Sequence, residues 1–171
     1  NQPGKLFIQT ITGRFYGVNE NLFASDSVCE DVNALFFDAD GDSDQDLYVV
    51  SGGNETETAK SNADRLYINE GNGRFIKSGR LPEINGNKSV AVAADVDRDG
   101  DMDLFVGGRV VAGRYGDVPR SYLLLNDSKG NFSIATETIA PGLQSAGMIT
   151  DATWTDLDKD GWPDLVIVGE W

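Results

Sequence analysis

Three acidic loops carry the residues best suited to chemistry. Asp38, Asp40, Asp42, Asp44 and Asp46 fall within nine residues, as do Asp95, Asp97, Asp99, Asp101 and Asp103. The third loop holds Asp156, Asp158, Asp160 and Asp164, with Trp162 in place of a fifth acid. Aspartates at positions 1, 3, 5 and 9 of a tight loop offer oxygens to a hard cation from several directions. Calcium takes six to eight oxygen ligands at about 2.3–2.6 Å. Position 7 would add a backbone carbonyl, which leaves its side chain free to vary among Asp44, Asp101 and Trp162. Position 6 calls for a residue that tolerates a sharp turn. It is Gly100 and Gly161, but Ser43 in the first loop, where the pattern departs. The expectation is up to three bound Ca²⁺. Magnesium suits the pattern less well, because it prefers a rigid octahedron and keeps its waters.

These loops are not EF-hands, which need a bidentate Glu at position 12 and helical flanks. Position 12 here is Val49, Val106 or Ile167, inside apolar runs. The plainer reading is a solvated, charged turn. Against it, the three loops hold half of the 28 acidic residues, and like charges at such range repel strongly without a cation. Three Ca²⁺ would bring the formal net charge from −14 to −8. A surface this acidic disfavours nucleic acid and anionic membranes as partners. The chain has no histidine, which excludes His-based triads and ordinary zinc sites. Its one cysteine, Cys29, excludes an intramolecular disulfide and reads as a partly buried small hydrophobe. No apolar stretch is long enough to span a membrane as a helix, and no signal-peptide pattern is present.

Outside the loops, few residues offer a site. Glu55, Arg109, Glu170 and Trp171 follow the strands that leave the loops and could line a common ligand-binding funnel. They could equally be surface turn residues. A carbohydrate-active enzyme would need two carboxyl groups about 5–10 Å apart with split pKa values. Only Glu55 and Glu170 remain for that role, and nothing in the sequence pairs them.

The elements that must position the loops are short strands. Apolar runs lead in at Ala34–Phe37, Val90–Ala94 and Ala152–Thr155, and lead out at Leu47–Val50, Leu104–Val106 and Leu165–Val168. The acidic loops recur 57 and then 61 residues apart. A second motif keeps the same period out of phase. Leu6-Phe-Ile before Gly13-Arg-Phe15 is repeated as Leu66-Tyr-Ile before Gly73-Arg-Phe75 and as Leu123-Leu-Leu before Gly130-Asn-Phe132. It reads as a hairpin, with a turn near Glu70–Gly73 in the second copy. The segments Asn19–Glu30 and Asn54–Asp64 lack Gly and Pro and read as loops with room for a short helix. Four strands per repeat of about 60 residues is the blade of a β-propeller. The expected class is all-β, with four-stranded antiparallel blades forming a partial arc of a larger ring. Residues 1–32 would be a half blade plus linker, 33–89 and 90–150 two blades carrying the first and second loops, and 151–171 a half blade carrying the third.

At these residues the chain resembles the FG-GAP/VCBS repeat family, the integrin-α-like propellers. Leu47-Tyr-Val-Val-Ser-Gly-Gly-Asn-Glu55, Phe105-Val-Gly-Gly-Arg109 and Val166-Ile-Val-Gly-Glu-Trp171 are similar to its bacterial surface or secreted branch. In that branch the repeats precede an ASPIC/UnbV-type domain. The resemblance implies a seven- or eight-bladed ring, calcium at the blade edges and a binding or adhesion role. The resulting expectation is a calcium-stabilised, non-catalytic extracellular scaffold for a protein or glycan, part of a longer chain or assembly. The alternatives are a glycoside hydrolase or lyase domain and a purely structural assembly module. Extracellular Ca²⁺ modules bind at about 10⁻⁴–10⁻³ M, so such sites fill outside the cell and stay empty in the cytosol.

Overall fold

The computed structural model describes residues 2–53 and 61–170. The chain is all-β in class and follows the blade pattern. Strands β1 (Leu6–Gln9) and β2 (Phe15–Val18) form a two-stranded hairpin, followed by a short helix, α1 (Glu20–Ala24). The first complete blade contains β3 (Asp31–Phe37), β4 (Asp46–Ser51), β5 (Arg65–Asn69) and β6 (Phe75–Lys77) in sequential order. The second contains β7 (Asn87–Ala94), β8 (Asp103–Val110), β9 (Tyr122–Leu125) and β10 (Ser133–Ile134). After α2 (Thr136–Ile139) and a 3₁₀ turn at Pro141–Ser145, β11 (Met148–Thr155) and β12 (Asp164–Glu170) form a second two-stranded sheet. All pairings are antiparallel. Strands β3, β7 and β11 begin two or three residues before the expected blade boundaries. The segment after Asn19 does hold a helix, α1, rather than loop alone. Among the described residues no helix is long and apolar enough to cross a membrane.

The blades stack face to face. Strand β7 packs beside β3 and β4, and β11 packs beside β7 and β8. Side chains alternate along a strand, so each blade buries both faces. From β4, Tyr48 and Val50 face the second blade. There they join Leu66 and Ile68 of β5 and Ala91, Leu104, Val106 and Leu124 across the seam. Leu47 and Val49 point the other way, with Tyr67, Phe75 and the α1 residue Phe23. The Phe23 and Tyr67 rings meet edge to face at 5.2 Å. The seam between the second blade and the β11–β12 pair holds Phe105, Val90 and Ile149, with Trp154, Leu165 and Ile167 against them. Every residue of β4 is buried as a result. Cys29 is also buried, as its apolar character suggests.

Candidate metal centres

Each acidic loop joins the first two strands of a blade: β3 to β4, β7 to β8, and β11 to β12. The loop backbones share one twist. Position 4 is left-handed in all three, at Gly41, Arg98 and Lys159. Position 6 is left-handed as well, at φ 73° for Ser43, 97° for Gly100 and 85° for Gly161. The departure at Ser43 therefore leaves the turn unchanged. The first loop has its glycine at position 4, and Ser43 takes the strained conformation that glycine occupies elsewhere.

The aspartates turn inward by bonding their own loop. The backbone N–H of position 6 donates to the position 1 carboxylate: Ser43 to Asp38 at 2.9 Å, Gly100 to Asp95 at 3.1 Å and Gly161 to Asp156 at 3.0 Å. The N–H of position 7 donates to the position 5 carboxylate in all three: Asp44 to Asp42, Asp101 to Asp99 and Trp162 to Asp160. Carboxylate oxygens of Asp38, Asp40 and Asp42 consequently lie within 4.8 Å of one another. The same holds for Asp95, Asp97 and Asp99, and for Asp156, Asp158 and Asp164.

Position 9 closes each loop from the far strand. The N–H of position 2 donates to it at 2.8 Å (Ala39 to Asp46), 2.9 Å (Val96 to Asp103) and 2.8 Å (Leu157 to Asp164). In the complete blades its other oxygen accepts a second N–H, from Asn69 to Asp46 at 2.7 Å and from Asn126 to Asp103 at 2.9 Å. The Asn126 side chain also donates to the carbonyls of Ala39 in the first loop and Met102 in the second. Asn69 ends β5, and Asn126 directly follows β9. Their task depends on the sheet that brings β5 and β9 beside β4 and β8.

Two observations fit these loops to a cation. Oδ1 of Asp40, Asp44, Asp95 and Asp101 is buried with no hydrogen-bond partner. Burial, and after it the neighbouring loop carboxylates, pushes Asp40, Asp44 and Asp97 above the ordinary aspartate value. Burial does the same to Asp101, against the Ser128 hydroxyl that donates to its Oδ2. Asp103 is pushed up to about 6, chiefly by burial and against its two N–H donors. A buried anion without a counter-charge is costly, and a hard cation answers both the charge and the open lone pairs. The position 7 side chains of the first two loops are thus held close to the site rather than free. Trp162, at position 7 of the third, lies under the Arg98 guanidinium at 3.8 Å, which links the second loop to the third.

A family model for the FG-GAP-like repeat matches residues 38–106 and 110–167. This chain belongs to the FG-GAP-like repeat family. No curated protein matches it. The first matched stretch of this FG-GAP-like chain runs from the start of the first acidic loop through the second, and the other stretch carries the third.

Of the expected funnel residues, Arg109 and Glu170 lie at the other end of the strands. Arg109, at the end of β8, pairs with Glu170 at the end of β12. Arg109 also lines a groove of about 390 Å³ with Gly52, Asn87, Ser89 and Tyr115. Glu55 and Trp171 lie outside the described residues. Nearby is a buried network that the sequence did not reveal. Asp64 accepts hydrogen bonds from the Tyr48 hydroxyl and the Ser51 N–H, both at 2.7 Å, and pairs with Lys88 at 3.2 Å. Both charged side chains are almost fully buried. This network ties the first blade to the second at the end remote from the acidic loops.

Proposed function

We propose that this chain is a calcium-stabilised, non-catalytic recognition scaffold that works outside the cell and presents a blade end to a protein or glycan. The observation that carries this reading is the set of buried, unpartnered carboxylate oxygens in the first two loops. In each loop, positions 1, 3, 5 and 9 would hold Ca²⁺ with the carbonyl of position 7, and the cation would clamp the paired strands together. The face at Arg109 and Glu170, away from the cations, would receive the ligand. The Arg109 pairing occupies Glu170, which speaks against a carboxylate dyad there. On the Val-Gly-Gly-Arg and Val-Gly-Glu-Trp segments, we place the chain with the bacterial surface and secreted branch of the family.

Thermal unfolding in excess EDTA, then in millimolar Ca²⁺ or Mg²⁺, tests the metal reading. A site filled at ten times its Kd contributes about 1.4 kcal/mol. Three sites should then raise Tm by about 10 °C in a chain of this length. The rise should be specific to Ca²⁺. Equal Tm values in all three buffers would defeat the reading.

A further inference from the structure

Where the first blade meets the second, a lysine and an aspartate are shut away from water. Lys88 lies in β7, and Asp64 directly precedes β5. Their side chains are 0 % and 1 % exposed, and Nζ of Lys88 lies 3.2 Å from Oδ1 of Asp64. The surrounding polar groups are buried too. Ser61, Asn62 and Asn87 are each less than a tenth exposed, and the Asn62 side-chain amide donates to Oδ1 of Asn87 at 2.7 Å. Nζ of Lys88 also donates to the Asn62 carbonyl, which holds the side chain against the carboxyl. A Cβ at Gly52 would collide with the Lys88 carbonyl, so the chain after β4 and the start of β7 meet backbone to backbone.

Asp64 is set up as an acyl group under attack needs to be. The Ser51 N–H donates to Oδ1 and the Tyr48 hydroxyl donates to Oδ2, both at 2.7 Å. The first donor stands where an oxyanion hole would place one. The second sets a proton beside the oxygen that must leave. Burial, and after it the facing Asp64 carboxylate, holds the Tyr48 phenol well above its ordinary pKa, so it keeps that proton until it is used. Burial also raises Asp64, against Lys88, the Ser51 N–H and the Tyr48 hydroxyl. An ion pair this deep has lost the hydration that favours separated charges. One proton moved across it leaves a neutral amine facing a neutral acid. A nucleophile held this close to a carboxyl reacts at the high effective concentration of an intramolecular step.

We propose that Lys88 and Asp64 condense into an amide that joins the first blade covalently to the second. Nζ of Lys88 attacks Cγ of Asp64. The new C–N bond forms as the carbonyl electron pair moves onto Oδ1, beside the Ser51 N–H. The pair then returns, and the Cγ–Oδ2 bond breaks. Two of the three ammonium protons leave with Oδ2 as water, the second handed over by Tyr48, which is reprotonated from the nitrogen. The third proton stays on the amide nitrogen. No oxidant, cofactor or second reactant enters the balance. The cross-link lies at the end of the strands remote from the acidic loops, and the inference does not rest on the calcium reading.

Mass spectrometry of the full chain, unfolded in EDTA, tests the proposal. The chain should weigh one water less than its sequence. Succinimides at Asp40-Gly41, Asp99-Gly100 or Asp160-Gly161 would give the same loss, so a tryptic digest locates it. The expected product is segment 61–65 joined to segment 81–98, uncut after Lys88. A free 61–65 peptide together with full cleavage after Lys88 would overturn the proposal. The role of Tyr48 is tested by following the branched peptide from the time of cell-free synthesis. Tyr48→Phe should form it at least tenfold more slowly than the parent chain. Equal rates would overturn the proton transfer through Tyr48. Because mass is read on the unfolded, metal-free chain, this result can fail while the Ca²⁺-specific thermal shift persists, and the reverse.

Discussion

The second and third acidic loops have almost the same aspartate spacing but different settings. In the second blade, Asp103 is 1 % exposed and accepts N–H groups from both Val96 and Asn126. In the β11–β12 sheet, Asp164 is half-buried and is held by Leu157. Spacing alone therefore brings the carboxylates together, as it does in all three loops. Locking the closing aspartate takes a third strand.

The strongest way to break this contrast is to remove the closing residue from each loop. Asp103→Ala leaves one buried and one part-buried N–H group without an acceptor and should cost about 2–6 kcal/mol, at about 1–3 kcal/mol per group. Asp164→Ala should cost about 1 kcal/mol or less in the metal-free protein. Urea denaturation in EDTA measures both, and equal costs would erase the distinction.

The pH dependence of the metal-free protein sharpens the picture of the buried loop. Asp103 is held at about 6 in the folded chain, and Asp40, Asp46 and Asp101 are also raised. A carboxyl whose folded pKa lies above its unfolded value binds more protons when folded. Stability then falls as pH rises from about 4 to about 6. In EDTA the chain should melt at a higher temperature at pH 5 than at pH 7.5, and Asp103→Asn should flatten that slope. Saturating Ca²⁺ should oppose the loss at pH 7.5, because the cation favours the ionised carboxylates. A metal-free Tm that climbs steadily from pH 5 to 7.5 would contradict the burial argument.

Smaller effects separate the first loop from the second. Ser43 and Gly100 share a left-handed backbone, so exchanging their types should move stability in opposite directions. Ser43→Gly should stabilise by up to about 1 kcal/mol, and Gly100→Ala should destabilise by about 1–2 kcal/mol. Chemical denaturation of the two variants side by side tests the sign. The smallest expected effect is at the link between the second and third loops. Arg98→Ala removes the guanidinium from the Trp162 ring and should cost about 0.5–1 kcal/mol. Trp162 fluorescence should respond to the same substitution even if stability scarcely moves.

Much of this was legible in the chain itself. The runs Leu47–Val50 and Leu104–Val106 became the interiors of β4 and β8. The turn near Glu70–Gly73 closes β5–β6 through a Glu70–Arg74 backbone bond, with left-handed Gly71, Asn72 and Gly73. Less legible were residues whose task depends on a neighbour distant in sequence. Asn126 reaches Ala39 across 87 positions. Lys88 lies just before the strand expected from the sequence and is a buried tie to Asp64 in the fold. Arg109 and Glu170 fall at matching repeat positions in the sequence, but only the fold shows that they pair with each other.

The spacing of the aspartates and the 57- to 61-residue period were enough to specify the loops, the hairpins and the blade. These features are local: loop geometry follows from residue type at fixed offsets, and a strand's faces follow from alternation along it. Which carboxylates are buried and which N–H groups reach them depend on how the sheets stack. Those contacts join residues tens of positions apart, and only packing sets their distances and the degree to which water is excluded from them.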